Sequence, residues 1–179
     1  TLWSSQARIE QCQFVNNAAL AISMDVHSFP VLQNNTAAGN GQNAIGVLPG
    51  WTSRSGAWTK DNLPYLITDY IGVSRGHVLT NAPGIVVLFE DPTSALVVDG
   101  ALVAAGTESQ PIHYTSDEAA KQPGQWRCIE FRDSSDDTVS VLSHCLVEYG
   151  GQGVDGSVIL TLASPRIMAS TIQFSQNDG

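Results

Sequence analysis

The chain has 179 residues, with 8 Lys and Arg against 17 Asp and Glu, for a formal net charge of −9 and a pI near 4.6. Lysine occurs only as Lys60 and Lys121, so the clustered base that neutralises nucleic-acid phosphates or anionic lipid is missing, and neither is an expected partner. A hydrophobic fraction of 42% supports a packed core and excludes wholesale disorder, and with only 14% charged residues the polar remainder falls to Asn, Gln, Ser, Thr and Gly.

No run approaches the ~20 consecutive apolar residues of a membrane-spanning helix. The start, TLWSSQARIEQCQF, has no basic segment followed by an apolar one and does not read as a signal peptide. Because the chain begins at Thr1 and ends on TIQFSQNDG, a phrase resembling the middle of a pattern, excision from a longer protein is expected.

In chain order, the sequence is a succession of short apolar, β-branched segments: ARIEQCQFV, LAISM, PVLQNN, NAIGV, PYLI, YIGV, HVLT, GIVVLF, ALVV, ALVAA, PIHYT, CIEF, VSVLS, CLVEY, SVILTL, PRIMAS and TIQF. Each alternates with period two, and Gly, Asn, Asp, Ser and Pro separate them, which is the pattern of strands and tight turns. No ten-residue helical stripe interrupts them, so the predicted class is all-β, with strands too many and too short for a sandwich.

The segments also repeat. QCQFVNNAALAISM followed by SFP matches HCLVEYGGQGVDGSVILTLASP in order: a Cys-centred strand, a small or polar turn, an apolar strand and a Ser/Pro corner. GHVLT and GALVAAGT start 24 residues apart, at Gly76 and Gly100, and the phrase around Trp126 follows 26 residues later. A period of roughly 20 to 27 residues suits one coil of three strands and three turns, and divides the chain into about seven or eight coils.

The run GVSRGHVLTNAPGIVVLF, then ALVVDGALVAAGTESQPIHYTS, WRCIEFRDSS and LSHCLVEYGG, resembles the repeating phrase of right-handed parallel β-helix proteins, the pectin-lyase-like solenoids of large bacterial secreted and surface chains. The likeness is clearest from Leu63 to Gly151 and departs from the phrase at Cys128, where a small residue such as Gly is expected. It implies a single open-ended β-helix segment over residues 1–179, located outside the cell or on its surface. It does not imply one activity, because the fold hosts lyases, hydrolases, adhesins and passive spacers.

Two stretches break the rhythm and are expected to project as loops: Gly50 to Pro64, with two of the four tryptophans, and Ser116 to Gln125, with a short helical turn over Glu118–Lys121. Three cysteines cannot complete a disulfide framework, so at least one thiol is free or pairs outside the chain. Alternation places Cys12 with Phe14 and Cys145 with Val147 as buried small hydrophobes, and sets Cys128 on the face opposite Ile129 and Phe131, which disfavours a Cys128–Cys145 bridge.

Candidate chemistry is sparse. By the resemblance, β-helix enzymes of polysaccharides use acids on neighbouring coils as general acid and base or as Ca²⁺ ligands, with an Arg or Lys as the base in lyases. Asp133, Asp136 and Asp137, with Arg132 and His144, form the one constellation to consider, and Arg127 lies at the other end of the CIEF strand. The plainer reading of the aspartates, and of Glu90–Asp91 before Pro92, is a solvated turn. The histidines, His27, His77, His113 and His144, show no metal spacing, with His113 and His144 placed in strands, and neither GxSxG nor GxGxxG occurs. No cofactor is implied beyond the Ca²⁺ of that enzyme alternative.

Aromatic residues make the stronger case for ligand contact. Trp51 and Trp58 in the first loop, with Tyr65 just beyond, are the candidate binding residues for a sugar or a partner protein, against the alternative that one Trp folds back over the coil. Outward Thr residues form no regular TxT ladder, which argues against ice binding. The expected function is a non-enzymatic structural or adhesive β-helix module of a bacterial surface protein or fibre, contacting carbohydrate, with a polysaccharide lyase or glycoside hydrolase of acidic glycans as the alternative. Strand edges at both ends would pair with neighbouring repeats or with other copies stacked end to end.

Overall fold

The computed structural model describes Thr1–Gly179 and contains 21 short strands, all paired in parallel, and no helix. They recur in threes as about seven turns of a β-solenoid. The first three turns comprise β1 Arg8–Glu10, β2 Gln13–Val15 and β3 Leu20–Met24; β4 Val31–Gln33, β5 Thr36–Ala38 and β6 Gln42–Val47; and β7 Gly50–Trp51, β8 Gly56–Trp58 and β9 Tyr65–Ile67. The next two are β10 Tyr70–Val73, β11 Val78–Asn81 and β12 Val86–Phe89, then β13 Ala95–Val98, β14 Ala101–Ala105 and β15 Ile112–Ser116. The last are β16 Cys128–Phe131, β17 Val141–Ser143 and β18 Cys145–Glu148, then β19 Val158–Leu160, β20 Arg166–Met168 and β21 Thr171–Gln173.

Every third strand pairs with the next, which generates the faces. One face is the seven-stranded sheet β3-β6-β9-β12-β15-β18-β21; the other two are the five-stranded sheets β7-β10-β13-β16-β19 and β8-β11-β14-β17-β20. The pairs β1-β4 and β2-β5 precede these. β4 continues the side begun by β8: the Leu32 N–H donates to Thr59 Oγ1 at 3.2 Å, and the Phe29 ring covers the Cα of Gly56.

Alternation decides what lies inside. On the seven-stranded face the inward column runs Ile22, Ile45, Tyr65, Val87, Tyr114, Val147 and Ile172 in register. On the β7 face Ile71, Leu96, Ile129 and Val158 form the equivalent column. Like residues therefore stack on like along the axis, and a single buried core threads all turns. At the corners, polar side chains replace the missing ladder. Asn35, fully buried, donates to the Ile9 carbonyl at 2.8 Å and to Asp61 at 2.7 Å while its Oδ1 accepts the Cys12 N–H, so three successive turns are tied through one amide.

Some expectations change. Gly50–Pro64 is not a projecting loop: it contains β7 and β8, joined by Thr52–Ser55, because Trp51 and Trp58 fall on strand positions that pair with β10 and β11. Residues 117–127, between β15 and β16, form no strand, and Glu118–Lys121 forms bends rather than a helical turn. The Lys121 ammonium donates to the Ser116 carbonyl, drawing the segment back on itself, and Pro123–Gly124 follow at once. Cys12 is exposed, since it occupies the corner before β2 rather than a strand position. Cys145 is buried in the core, and Cys128, on the outward side of β16, is buried as well. No helix is present that is long and apolar enough to cross a membrane.

Candidate functional site

Register on the β7 face puts Trp51, Gly72, Val97, Glu130 and Ile159 in one outward column, and Tyr70, Ala95 and Cys128 in the next. The centre of the face is therefore carpeted by small side chains and flanked by large ones. The consequence is an open groove of about 400 Å³ lined by Trp51, Tyr70, Thr93, Ala95, Val97, Arg127, Glu130 and Arg132. At Gly72 a Cβ would overlap the indole of Trp51, so only the absence of a side chain there lets the ring lie flat across the strand.

The charged groups are fixed around that ring. The Arg132 guanidinium donates to Glu130 at 3.1 Å and lies 5.9 Å from the Trp51 centroid, within cation–π range. The hydrogen bond from Arg132 to Glu130 also raises the guanidinium pKa further. Arg127 enters from the start of β16 and has no carboxylate partner in an ion pair. Cys128 is not a reactive thiol: burial first, then Glu130, pushes its pKa up to about 11.

Of the residues singled out by sequence, Trp51 and Arg132 meet in this groove. Trp58 and Tyr65 do not: both are buried, and their rings stack at 4.8 Å with an interplanar angle of 9°. The Tyr65 hydroxyl donates to the Thr59 carbonyl, and burial raises its pKa, so neither ring offers a face to a ligand. Asp133, Asp136 and Asp137 lie in the turn between β16 and β17, whereas His144 sits at the next corner, between β17 and β18, with φ of 48° rather than in a strand. Hydrogen bonds from the Thr138 hydroxyl and N–H hold Asp136 below the usual carboxylate range, as a turn-forming residue. No hydrogen bond or ion pair joins the aspartates to Arg132 or His144. The sequence does not point to Tyr70 or Thr93, and it offers Arg127 only as a base flanking the acidic constellation. They enter because register brings residues of four turns together.

A second polar assembly covers the outer side of the seven-stranded face. His113 and Gln173 both hydrogen-bond Glu148, at 2.7 and 2.5 Å, and the Gln42 amide donates to Glu90 at 3.4 Å and to Asp117 at 3.2 Å. Burial, aided by the neighbouring Asp91 and Asp117, raises the Glu90 pKa, and burial likewise raises Asp117 against the pull of Lys121. Nowhere do three or more His, Cys, Asp or Glu side chains gather in an arrangement able to hold a metal ion. Compared with protein-family models, curated proteins and solved structures, the chain matches none.

Proposed function

We propose that this chain is a rigid, non-catalytic β-solenoid module of a bacterial extracellular or cell-surface protein or fibre, and that it holds glycan chains along its β7 face. The observation that carries the reading is the indole of Trp51 laid flat over Gly72 beside Tyr70, Arg127 and Arg132. Flat aromatic faces in a shallow, open trough suit the apolar faces of pyranose rings, and planar guanidinium groups suit ring hydroxyls and carboxylates. A non-catalytic role is favoured because the groove contains one carboxylate, Glu130, already engaged by Arg132, whereas glycoside hydrolysis uses a pair flanking the bond. The extracellular and bacterial parts rest on the resemblance of the coil phrase and on a surface filled with Asn, Ser and Thr rather than Lys.

The test is affinity electrophoresis or calorimetry against a panel of neutral and acidic polysaccharides. The unmutated protein is expected to bind at least one without cleaving it, and Trp51→Ala to weaken that binding by about tenfold or more. Binding that survives Trp51→Ala, or release of reducing or unsaturated ends by the unmutated protein, contradicts the reading.

A further inference from the structure

The corner between the β7 face and the β8 face is uneven from turn to turn. β10 reaches β11 through the four residues Ser74–His77, β13 reaches β14 through the two residues Asp99–Gly100, and β16 reaches β17 through the nine residues Arg132–Ser140. The two-residue turn is recessed between its longer neighbours. It is pinned there by Gly100 and Ala101, whose N–H groups donate to Val73 and His77 carbonyls at 2.8 and 2.9 Å. A Cβ on Gly100 would overlap the carbonyl oxygens of Ser74 and His77, so no side chain can fill the recess from below. What remains is a notch of about 390 Å³ with Gly100 and Ala101 on its floor, Arg75, Gly76, His77 and Val78 on one wall, and Ser134, Ser135 and Asp136 on the other.

The polar groups of this notch are not consumed by the fold. Arg75 makes no ion pair or side-chain hydrogen bond, and neither the His77 ring nor the Ser134 hydroxyl has a protein partner, although other polar corner residues such as Asn35 are fully engaged. The one acid, Asp136, is turned back to Thr138, whose hydroxyl donates to it at 2.7 Å. We propose that the notch is a binding site for a tetrahedral oxyanion group, sulfate or phosphate, gripped by the Arg75 guanidinium, the His77 ring N–H and the Ser134 hydroxyl. Donors from two turns converge on a recess too large for an ion alone, which leaves room for the sugar or other small group that carries the ester. The site is separate from the Trp51 groove and does not depend on glycan binding there.

The experiment titrates the full chain with sodium sulfate, sodium phosphate, a monosaccharide sulfate and a monosaccharide phosphate at constant ionic strength, following backbone and His77 ring resonances. Sodium chloride is the control for ionic strength. Saturable shifts confined to Arg75–Val78, Gly100–Ala101 and Ser134–Asp136 are expected. Arg75→Ala should weaken binding by about tenfold, the loss of one charge-assisted contact, and Ser134→Ala by less; Arg8→Ala, exposed on β1 in the first turn of the solenoid, should change nothing. The free ions binding as tightly as the esters would assign the notch to the anion itself, and tighter esters would assign it to a modified sugar; either outcome upholds the oxyanion site. Shifts that do not saturate, that match those in chloride, that survive Arg75→Ala or that appear only around Arg127 and Arg132 would overturn it.

Discussion

Trp58 and Tyr65 stack inside the solenoid at 4.8 Å, two residues that close one turn of the coil against each other instead of facing solvent. Trp51, seven positions before Trp58, lies on the outer side of the adjoining β7 sheet, over Gly72. The two tryptophans should thus respond oppositely to truncation. Trp58→Ala removes a buried aromatic and leaves a cavity, so chemical denaturation should show a loss of about 3–5 kcal/mol. Trp51→Ala should cost less than about 1 kcal/mol, as expected of an outward position. Equal losses would place both rings in the core.

Gly72 sets the Trp51 ring in place, so a larger residue there should act through the ring. Gly72→Val is expected to keep the β-type circular dichroism and a melting midpoint near that of the parent, since the position faces outward and Val suits a strand. It should weaken glycan binding as much as Trp51→Ala does. Retained binding in Gly72→Val would mean that the flat indole is not the contact surface.

Acid should stabilise the fold before it destabilises it. Glu90 and Asp117 have folded-state pKa values raised by burial, so between their unfolded and folded values the folded state binds more protons, and stability is lost as pH rises through that window. Asp91, held by Thr93, and Asp25, held by Ser28 and Ser4 against partial burial, have lowered values. Their contribution is present above the ordinary carboxylate range and lost only as pH falls through the lowered values. Melting midpoints should therefore climb from neutral pH toward the upper edge of the carboxylate range and then fall in stronger acid. Glu90→Gln, which still accepts from Gln42, should raise the neutral-pH midpoint and flatten the climb; an unchanged profile would show that Glu90 is not strained at neutral pH.

Thiol chemistry should report the three cysteine environments separately. Cys12 is exposed, whereas burial pushes the Cys128 and Cys145 thiols up to about 11. A water-soluble disulfide reagent should titrate one thiol in the folded protein and all three in denaturant. Reaction at Cys128 in the folded state would show that the packing over β16 opens.

The all-β class, the coil period and most of the core were legible because each strand alternates and each column repeats the same kind of residue, as in Ile71, Leu96 and Ile129. What alternation does not carry is phase across turns of unequal length. Trp51 and Trp58 are seven positions apart, an odd step that turns one outward and the other inward, but that is legible only once both are known to lie on strands rather than in one polar, glycine-containing loop. Cys12 misled for the same reason: the alternation that includes Phe14 stops at Gln13, and Cys12 belongs to the corner. Tyr70 and Arg127 joined Trp51 only through register between turns, and the notch at Gly100 arises from three turn lengths that no single coil reveals.

The central claim is that ligand is held on the β7 face, and the most direct measurement is chemical-shift mapping of an isotopically labelled chain titrated with an oligosaccharide from the best-binding polysaccharide. The largest perturbations are expected at the Trp51 indole N–H and at Tyr70, Val97, Arg127, Glu130 and Arg132, with the outer side of the seven-stranded face, around His113 and Glu148, unchanged. Perturbations centred on His113 and Glu148, or none with any glycan that the panel retains, would contradict the account.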